Sequence, residues 1–305
     1  MKKTVLSMVA LLAGSGAAFA QSGGSSPLYA NGFVQYEYLS GADEIDFWFG
    51  DFALGLRGAF GGTPVGFDLG VLAVGSTQED FSTSALFPTV WAETAYGKFS
   101  LGRPRSAMAS RIKVPPIAGT YYFTDDIQVA FNFTDMAVLQ GGVDSYGLRY
   151  DGNFNGFDVG LSWHHLGGIG GKGMDGNGTS LTGFVGRDYG AFDFAVGFEH
   201  LQGEGNSETT YVATLGYDVG TYGARVSLGD SFLMPDSAYS VEAFYRPLDW
   251  LKVTASYGNY ASYAVYGANA EASFLKNGYA GIGYFDGDGF SSGITTAYVG
   301  WKLNY

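Results

Sequence analysis

Apolar and polar residues alternate with a period of two along most of this chain. At its end, Ala297, Val299, Trp301, Leu303 and Tyr305 share one face of an extended strand, and Thr296, Tyr298, Gly300, Lys302 and Asn304 share the other. Phe157, Val159, Leu161 and Trp163 alternate in the same way with Asp158, Gly160, Ser162 and His164. So do Tyr211 to Val219, Tyr239 to Arg246 and Leu251 to Gly258, whereas Gly190 to His200 is blurred by glycines and inward aromatics. About sixteen such segments are legible, most near the roughly 9 to 11 residues a tilted strand needs to cross a bilayer. Aromatics stand on the apolar face of nearly every one, the pattern of strands with lipid outside and water inside.

The connections alternate in length. Short ones at 61–63, 96–98, 153–156, 188–190, 220–221, 247–249 and 276–278 carry turn chemistry such as Asn155-Gly156 and Asn277-Gly278. Longer ones are expected near 40–46, 76–88, 104–144, 166–179, 203–208, 230–237, 259–264 and 286–292. The pattern predicts an all-β fold: a transmembrane, antiparallel, up-and-down β-barrel of about 16 strands, with its third long loop folded into the lumen. A secreted β-sandwich or β-helix shares the alternation and the glycines, but has no reason to place aromatics on an outer face of nearly every strand. Eight strands would use only about half of the chain, while 16 leave room for an aqueous channel.

Residues 1–20 read as a secretory signal peptide. Lys2 and Lys3 precede the apolar stretch Val5 to Leu12, and Ala18-Phe19-Ala20 has the small-x-small pattern of a cleavage site. One barrel domain over 21–305 is expected to remain. No later segment approaches the length of a helical span. There are no cysteines, so an exported chain is held by its fold alone. Without the two leader lysines, 14 basic against 29 acidic residues leave a charge of −15, which argues against a nucleic-acid surface. Glycine (49 residues), tyrosine (22) and phenylalanine (24) suit strands, tight turns and aromatic belts.

The connection 104–144 exceeds ordinary loop lengths, which marks it as functional. It is introduced by Arg103, Arg105, Arg111 and Lys113, is stiffened by Pro115-Pro116, and carries Tyr121-Tyr122-Phe123 before Asp125, Asp126, Asp135 and Asp144. Folded inward, its carboxylates would face basic residues on the wall, and the transverse field would filter polar solutes. Parity supplies the wall. Arg57 opposes Leu54 and Leu56, Arg149 opposes Leu148 and Tyr150, and Arg225 opposes Ala224 and Val226. An arginine facing lipid near the midplane would cost about 2–4 kcal/mol. Arg103 shares parity with Phe99 and Leu101, so it reaches the lumen only if a bulge or a strand end at Gly102 turns it inward. The expected constriction is therefore Arg57, Arg103, Arg105, Arg149 and Arg225 against Asp125, Asp126 and Asp135.

The stretch Tyr96-Gly97-Lys98-Phe99-Ser100-Leu101-Gly102-Arg103 resembles the turn and strand before the constriction loop of Gram-negative general diffusion porins. Tyr146-Gly147-Leu148-Arg149-Tyr150-Asp151 through Gly156 to Trp163 resembles the hairpin after it, in the glycine-rich, acidic style of alphaproteobacterial porins. The resemblance implies a 16-stranded homotrimer that passes ions and small hydrophilic solutes, with Arg103 and Asp125 or Asp126 at the eyelet. Lipopolysaccharide, outer-membrane lipid and, through the C-terminal strand, the barrel-assembly machinery are the expected partners.

Other signals are weaker. His164 and His165 are adjacent on a strand and point to opposite faces, so they do not share a metal. Ser162 and His164 share the lumen face, which leaves an outer-membrane hydrolase as an alternative if a third group orients the pair. Asp175-Gly176-Asn177-Gly178 and Asp286-Gly287-Asp288-Gly289 have the look of calcium loops, but Ala297 stands where an EF-hand places its glutamate. No cofactor is expected beyond a loop-bound calcium. The acidic loops (Asp43, Glu44, Asp46, Glu79, Asp80, Glu204, Glu208, Asp230, Asp236, Asp286 and Asp288) should concentrate cations at the mouth. The expected function is a passive, mildly cation-selective channel. The alternatives are a substrate-specific channel and a non-conducting barrel serving as an enzyme or adhesin.

Overall fold

The computed structural model describes residues 27–41, 44–76, 81–112, 116–121, 131–169, 176–203, 205–234, 236–260, 263–288 and 290–304. The expected leader lies outside them. Sixteen antiparallel strands follow one another in chain order around a closed barrel. They are β1 (Leu28–Ser40), β2 (Glu44–Phe60), β3 (Thr63–Ser76), β4 (Ser82–Thr94), β5 (Gly97–Gly102), β6 (Asp144–Phe154), β7 (Phe157–Ile169) and β8 (Gly176–Tyr189), then β9 (Phe192–Gln202), β10 (Ser207–Asp218), β11 (Tyr222–Asp230), β12 (Ala238–Leu248), β13 (Leu251–Tyr260), β14 (Tyr263–Phe274), β15 (Gly278–Gly287) and β16 (Ile294–Asn304). The long connection from β5 to β6 holds two helices, α1 (Ala107–Arg111) and α2 (Phe133–Gly141). Closure is made by β16 on β1: Asn304 pairs with Asn31 and Ala297 with Tyr38.

The faces follow parity. Leu101, Leu148, Leu215, Leu228 and Val299 point outward, each about half exposed, while Ser162, Thr182, Glu199, Thr210 and Thr296 point inward and are buried. Outward aromatics gather at both ends, with Phe60, Tyr96 and Tyr189 at the turn end and Tyr146, Tyr211 and Tyr263 at the loop end. Inward aromatics lie flat on glycines of neighbouring strands. The rings of Tyr279 and Tyr298 fill the spaces over Gly300 and Gly281, where a Cβ would stand 2.2 and 2.3 Å from ring carbons. Phe184 covers Gly160 in the same way. Large apolar area is thereby buried along the wall while the lumen stays clear. These pairs account for the joint abundance of glycine and aromatics.

At the turn end, Gly61 and Gly62 both have positive φ between the paired Phe60 and Thr63, and so do Asn155 and Gly156 between Phe154 and Phe157. Both are two-residue hairpins of the type that matches strand twist. At the loop end, most connections are shorter than their composition suggests. β2 begins at Glu44 and β4 at Ser82, inside segments expected to be loops. Above the apolar band, polar outward side chains cost nothing in a strand, so pairing continues through Ser, Thr, Asp and Gly.

One strand falls short. β5 pairs with only Thr89–Thr94 of β4 and with 147–151 of β6, so the upper parts of β4 and β6 have no strand between them. Arg103 stands at that gap. Its guanidinium donates to the carbonyls of Ser145 (3.0 Å), Val143 and Leu86, and it meets the exposed carboxylate of Asp144 at 3.3 Å.

Candidate pore constriction

The β5–β6 connection crosses the lumen and is fastened to the wall at three places. At its root, Arg105 donates to Asp51 on β2 (2.8 Å) and to Asp135 on α2. The Ser106 backbone N–H (2.8 Å) and Asn132 Nδ2 (3.1 Å) also donate to Asp135. Burial disfavours charge on both partners, but their mutual attraction prevails. The Arg105 pKa is held above its ordinary value by Asp51 and Asp135, and that of Asp135 is held below the usual carboxylate range by Arg105, with the Ser106 and Asn132 bonds adding to it. Arg149 chelates Asp151 (2.6 and 2.8 Å) and turns its remaining donors to the Arg105 and Ser106 carbonyls.

The second fastening is on β7–β9. The N–H of Ala107, first in α1, meets the hydroxyls of Ser162 (2.9 Å) and Thr182 (3.0 Å). The N–H groups of Phe133 and Thr134, which open α2, donate to the Glu199 carboxylate at 2.8 and 2.9 Å, and the Thr134 hydroxyl reaches the same group. A carboxylate on the orphan donors of a helix N-terminus is favoured by hydrogen bonding and by the helix dipole. The third fastening is on the opposite wall. Gln35 donates to the Gly119 carbonyl (2.8 Å), Thr296 to that of Ala118 (3.2 Å), and the Tyr121 N–H to Glu37 (2.8 Å). The Tyr121 ring stacks on Phe49 with centroids 5.1 Å apart.

Between these points the loop buries an apolar core inside the barrel. Leu39, Phe47, Leu72, Val74 and Phe87 face inward from β1–β4 and join one cluster with Met108, Met136, Val138 and Leu139 of the loop. Towards the turn end the lumen opens into a chamber of about 960 Å³. Its wall carries closely paired charges: Lys98–Asp68 (3.0 Å), Arg225–Asp193 (3.1 Å), Arg246–Asp218 (3.0 Å) and Lys252–Glu242 (3.7 Å).

Of the residues expected at the constriction, Arg105, Arg149 and Arg225 face inward and line this chamber. Arg105 and Asp135 are brought together, but as a latch that folds the loop rather than as opposed charges across open water. Arg57 faces inward, yet it sits six residues beyond Asp51, about 20 Å down the strand, with its guanidinium 5.1 Å from the Tyr29 ring. Arg103 follows Gly102, where β5 ends with positive φ, and its donors go to the gap in the wall beside β5. Asp125 and Asp126 lie outside the described residues. Ser162 and His164 do hydrogen-bond (2.9 Å), but both are buried, Ser162 is occupied by the loop, and His164 Nδ1 has no partner to orient it. His165 points to the other face, its ring tilted against Tyr146 with centroids 4.8 Å apart. Among the described residues no group of three His, Cys, Asp or Glu could hold a metal. Glu37 and Glu199 were missed. Both are acidic residues at inward parity, and their value depends on a loop whose fold is not legible locally.

No protein-family model matches this sequence, and no curated protein matches it. Solved structures do. Two engineered variants of Rhodopseudomonas blastica porin superpose with TM-scores of 0.68 and 0.67 at 12% and 13% identity, covering 90% of this chain and 100% of theirs. A third variant gives 0.64 at 12% identity over the same share. The likeness spans nearly the whole barrel, and this chain has the 16-stranded porin fold.

Proposed function

We propose that this chain is an outer-membrane porin, a passive aqueous channel for ions and small hydrophilic solutes. The observation that carries the reading is the charged chamber inside an apolar outer band. At least eight ionic side chains face a space that only water can solvate, while the outward positions of the same strands are Leu, Val and aromatic. A barrel made for adhesion or structure alone has no need of them. The Ser162–His164 pair supports no hydrolase, since its hydroxyl is used to hold α1.

The leader would deliver the chain to the periplasm, and the C-terminal strand would present it to the barrel-assembly machinery. The turn end would then face the periplasm and the loop end the outside. Glu44, Asp46, Asp144, Asp230, Asp236, Asp286 and Asp288 crowd the loop end. They support a mild cation preference and a rim that divalent ions bridge to lipopolysaccharide phosphates. A homotrimer is the assembly the porin fold suggests. Single-channel recording of the refolded chain in a planar bilayer tests the reading. Stepwise openings in threes are expected, and a folded, heat-modifiable barrel that never conducts would overturn it.

A further inference from the structure

The chamber must communicate with the loop end past the inward loop, and the wall above it divides into sectors. Over β1–β4 the next level is the apolar core of Leu39, Phe47, Leu72 and Val74. Over β7–β9 the loop is bonded through Ser162, Thr182 and Glu199. Over β13–β16 and β1 it is bonded through Ser256, Thr296, Gln35 and Glu37.

The sector over β11 and β12 differs. The chamber climbs that wall to Arg225 and Glu242, with Thr254 beside it on β13. One level higher, Ser227 and Ser240 are directly paired across the two strands. The hydroxyls of Ser227, Ser240 and Thr254 are all buried, and none has a hydrogen-bond partner. Above them Phe131 sits in the notch over Gly229, flanked by the buried Val212 and Ala238. Among the described residues no polar bond holds Phe131 there. Covering these hydroxyls forfeits their hydration, so water gains by entering this contact, where three of them lie together; the unpartnered His164 Nδ1 and Asn132 Oδ1 lie apart, each beside a polar fastening of the loop.

We infer that the permeation path runs along the β11–β12 wall, from Phe131 past the Ser227–Ser240 hydroxyls to the Arg225–Glu242 level. The inference rests on the channel reading. It assigns Ser227, Ser240 and Phe131 as the residues that set passage, and it places the path away from Arg57, Arg103 and Arg149. The solutes it suits are uncharged polyhydroxylated or zwitterionic molecules, since the hydroxyl row carries no charge and the cations below it are already paired.

The chain has no cysteine, so single cysteines report cleanly. In bilayers, Ser227→Cys and Ser240→Cys channels treated with a charged methanethiosulfonate should lose roughly half or more of their conductance, as a bulky group in a narrow section does. Ser180→Cys and Val74→Cys channels should be unaffected. Phe131→Ala should raise conductance without reagent and without loss of the heat-modifiable barrel. Block at Ser180→Cys or Val74→Cys with none at Ser227→Cys and Ser240→Cys would overturn the path and leave the channel reading intact. A silent unmodified barrel would overturn both.

Discussion

Glu199, on the wall, is bound to Thr134, at the start of a loop helix, by that residue's N–H and by its hydroxyl. The same carboxylate takes the Phe133 N–H. One wall side chain thus ends four donor searches at once, counting Ser180, and fixes where α2 begins. Glu199→Gln should weaken this hold, because an amide turns a donor towards donors. Leaving those groups unsatisfied costs about 1–3 kcal/mol. The barrel should still fold, since its ladder is untouched, but the open-channel current of the variant should be noisier than that of the native chain. A quiet trace with unchanged conductance would show that α2 holds its place without Glu199.

The Arg105–Asp135 pair makes a statement about pH. Asp135 titrates below the ordinary carboxylate range when folded, and near 3.9 when unfolded. Its pairing therefore favours the folded loop above about pH 4 and is lost as pH falls through the lower, folded value. Loop-dependent conductance should be flat from neutral pH down to about pH 4 as far as this pair is concerned. Asp135→Asn removes one partner of a buried pair and should cost roughly 3–5 kcal/mol. Protease susceptibility of the loop in the folded barrel reads this directly, and equal cleavage of the variant and the native chain would count against the latch.

Glycine positions separate two roles. A Cβ on Gly300 would stand 2.2 Å from the Tyr279 ring, whereas one on Gly58 would meet nothing within 4 Å. Gly300→Val should displace Tyr279 and lower stability by about 1–3 kcal/mol, the usual cost of overpacking, while Gly58→Ala should change it little. Urea-induced unfolding of both variants in the same detergent checks the difference. Comparable midpoints would mean that Tyr279 relocates without loss.

Much of this was legible in the sequence, and for physical reasons. Alternation is set by strand geometry and by lipid against water, so Val299 and Leu215 face outward and Arg149 and Arg225 inward, as their parity requires. Arg103 is ambiguous by parity for the same reason, and the short β5 resolves it: the strand ends at Gly102, and the arginine satisfies carbonyls left without a ladder. The strand from Phe192 to Gln202 is hard to read because Ala195, Gly197 and Leu201 make its inward face apolar or bare; its rings, expected inward, stand outward, and Glu199 is lost with it. The core between Leu72, Val74 and Leu139 was not legible at all. Inward apolar residues on a barrel wall become explicable only when a loop covers them, and that contact joins segments some 65 residues apart.

Arg225 offers a test of selectivity separate from the path. It lies between Asp193, which it contacts at 3.1 Å, and Glu242, its register partner on β12. Arg225→Ala removes one positive charge and releases the Asp193 carboxylate on the chamber wall, while Glu242 keeps Lys252. Local potential becomes more negative, so cations are enriched and anions excluded. In a salt gradient the reversal potential should move towards that of an ideal cation channel, and the shift should shrink as ionic strength rises and the Debye length falls below the width of the opening. Glu242→Gln should move it the opposite way. If both variants leave the reversal potential unchanged, selectivity is set at the acidic rim around Asp230 and Asp286 and not in the chamber.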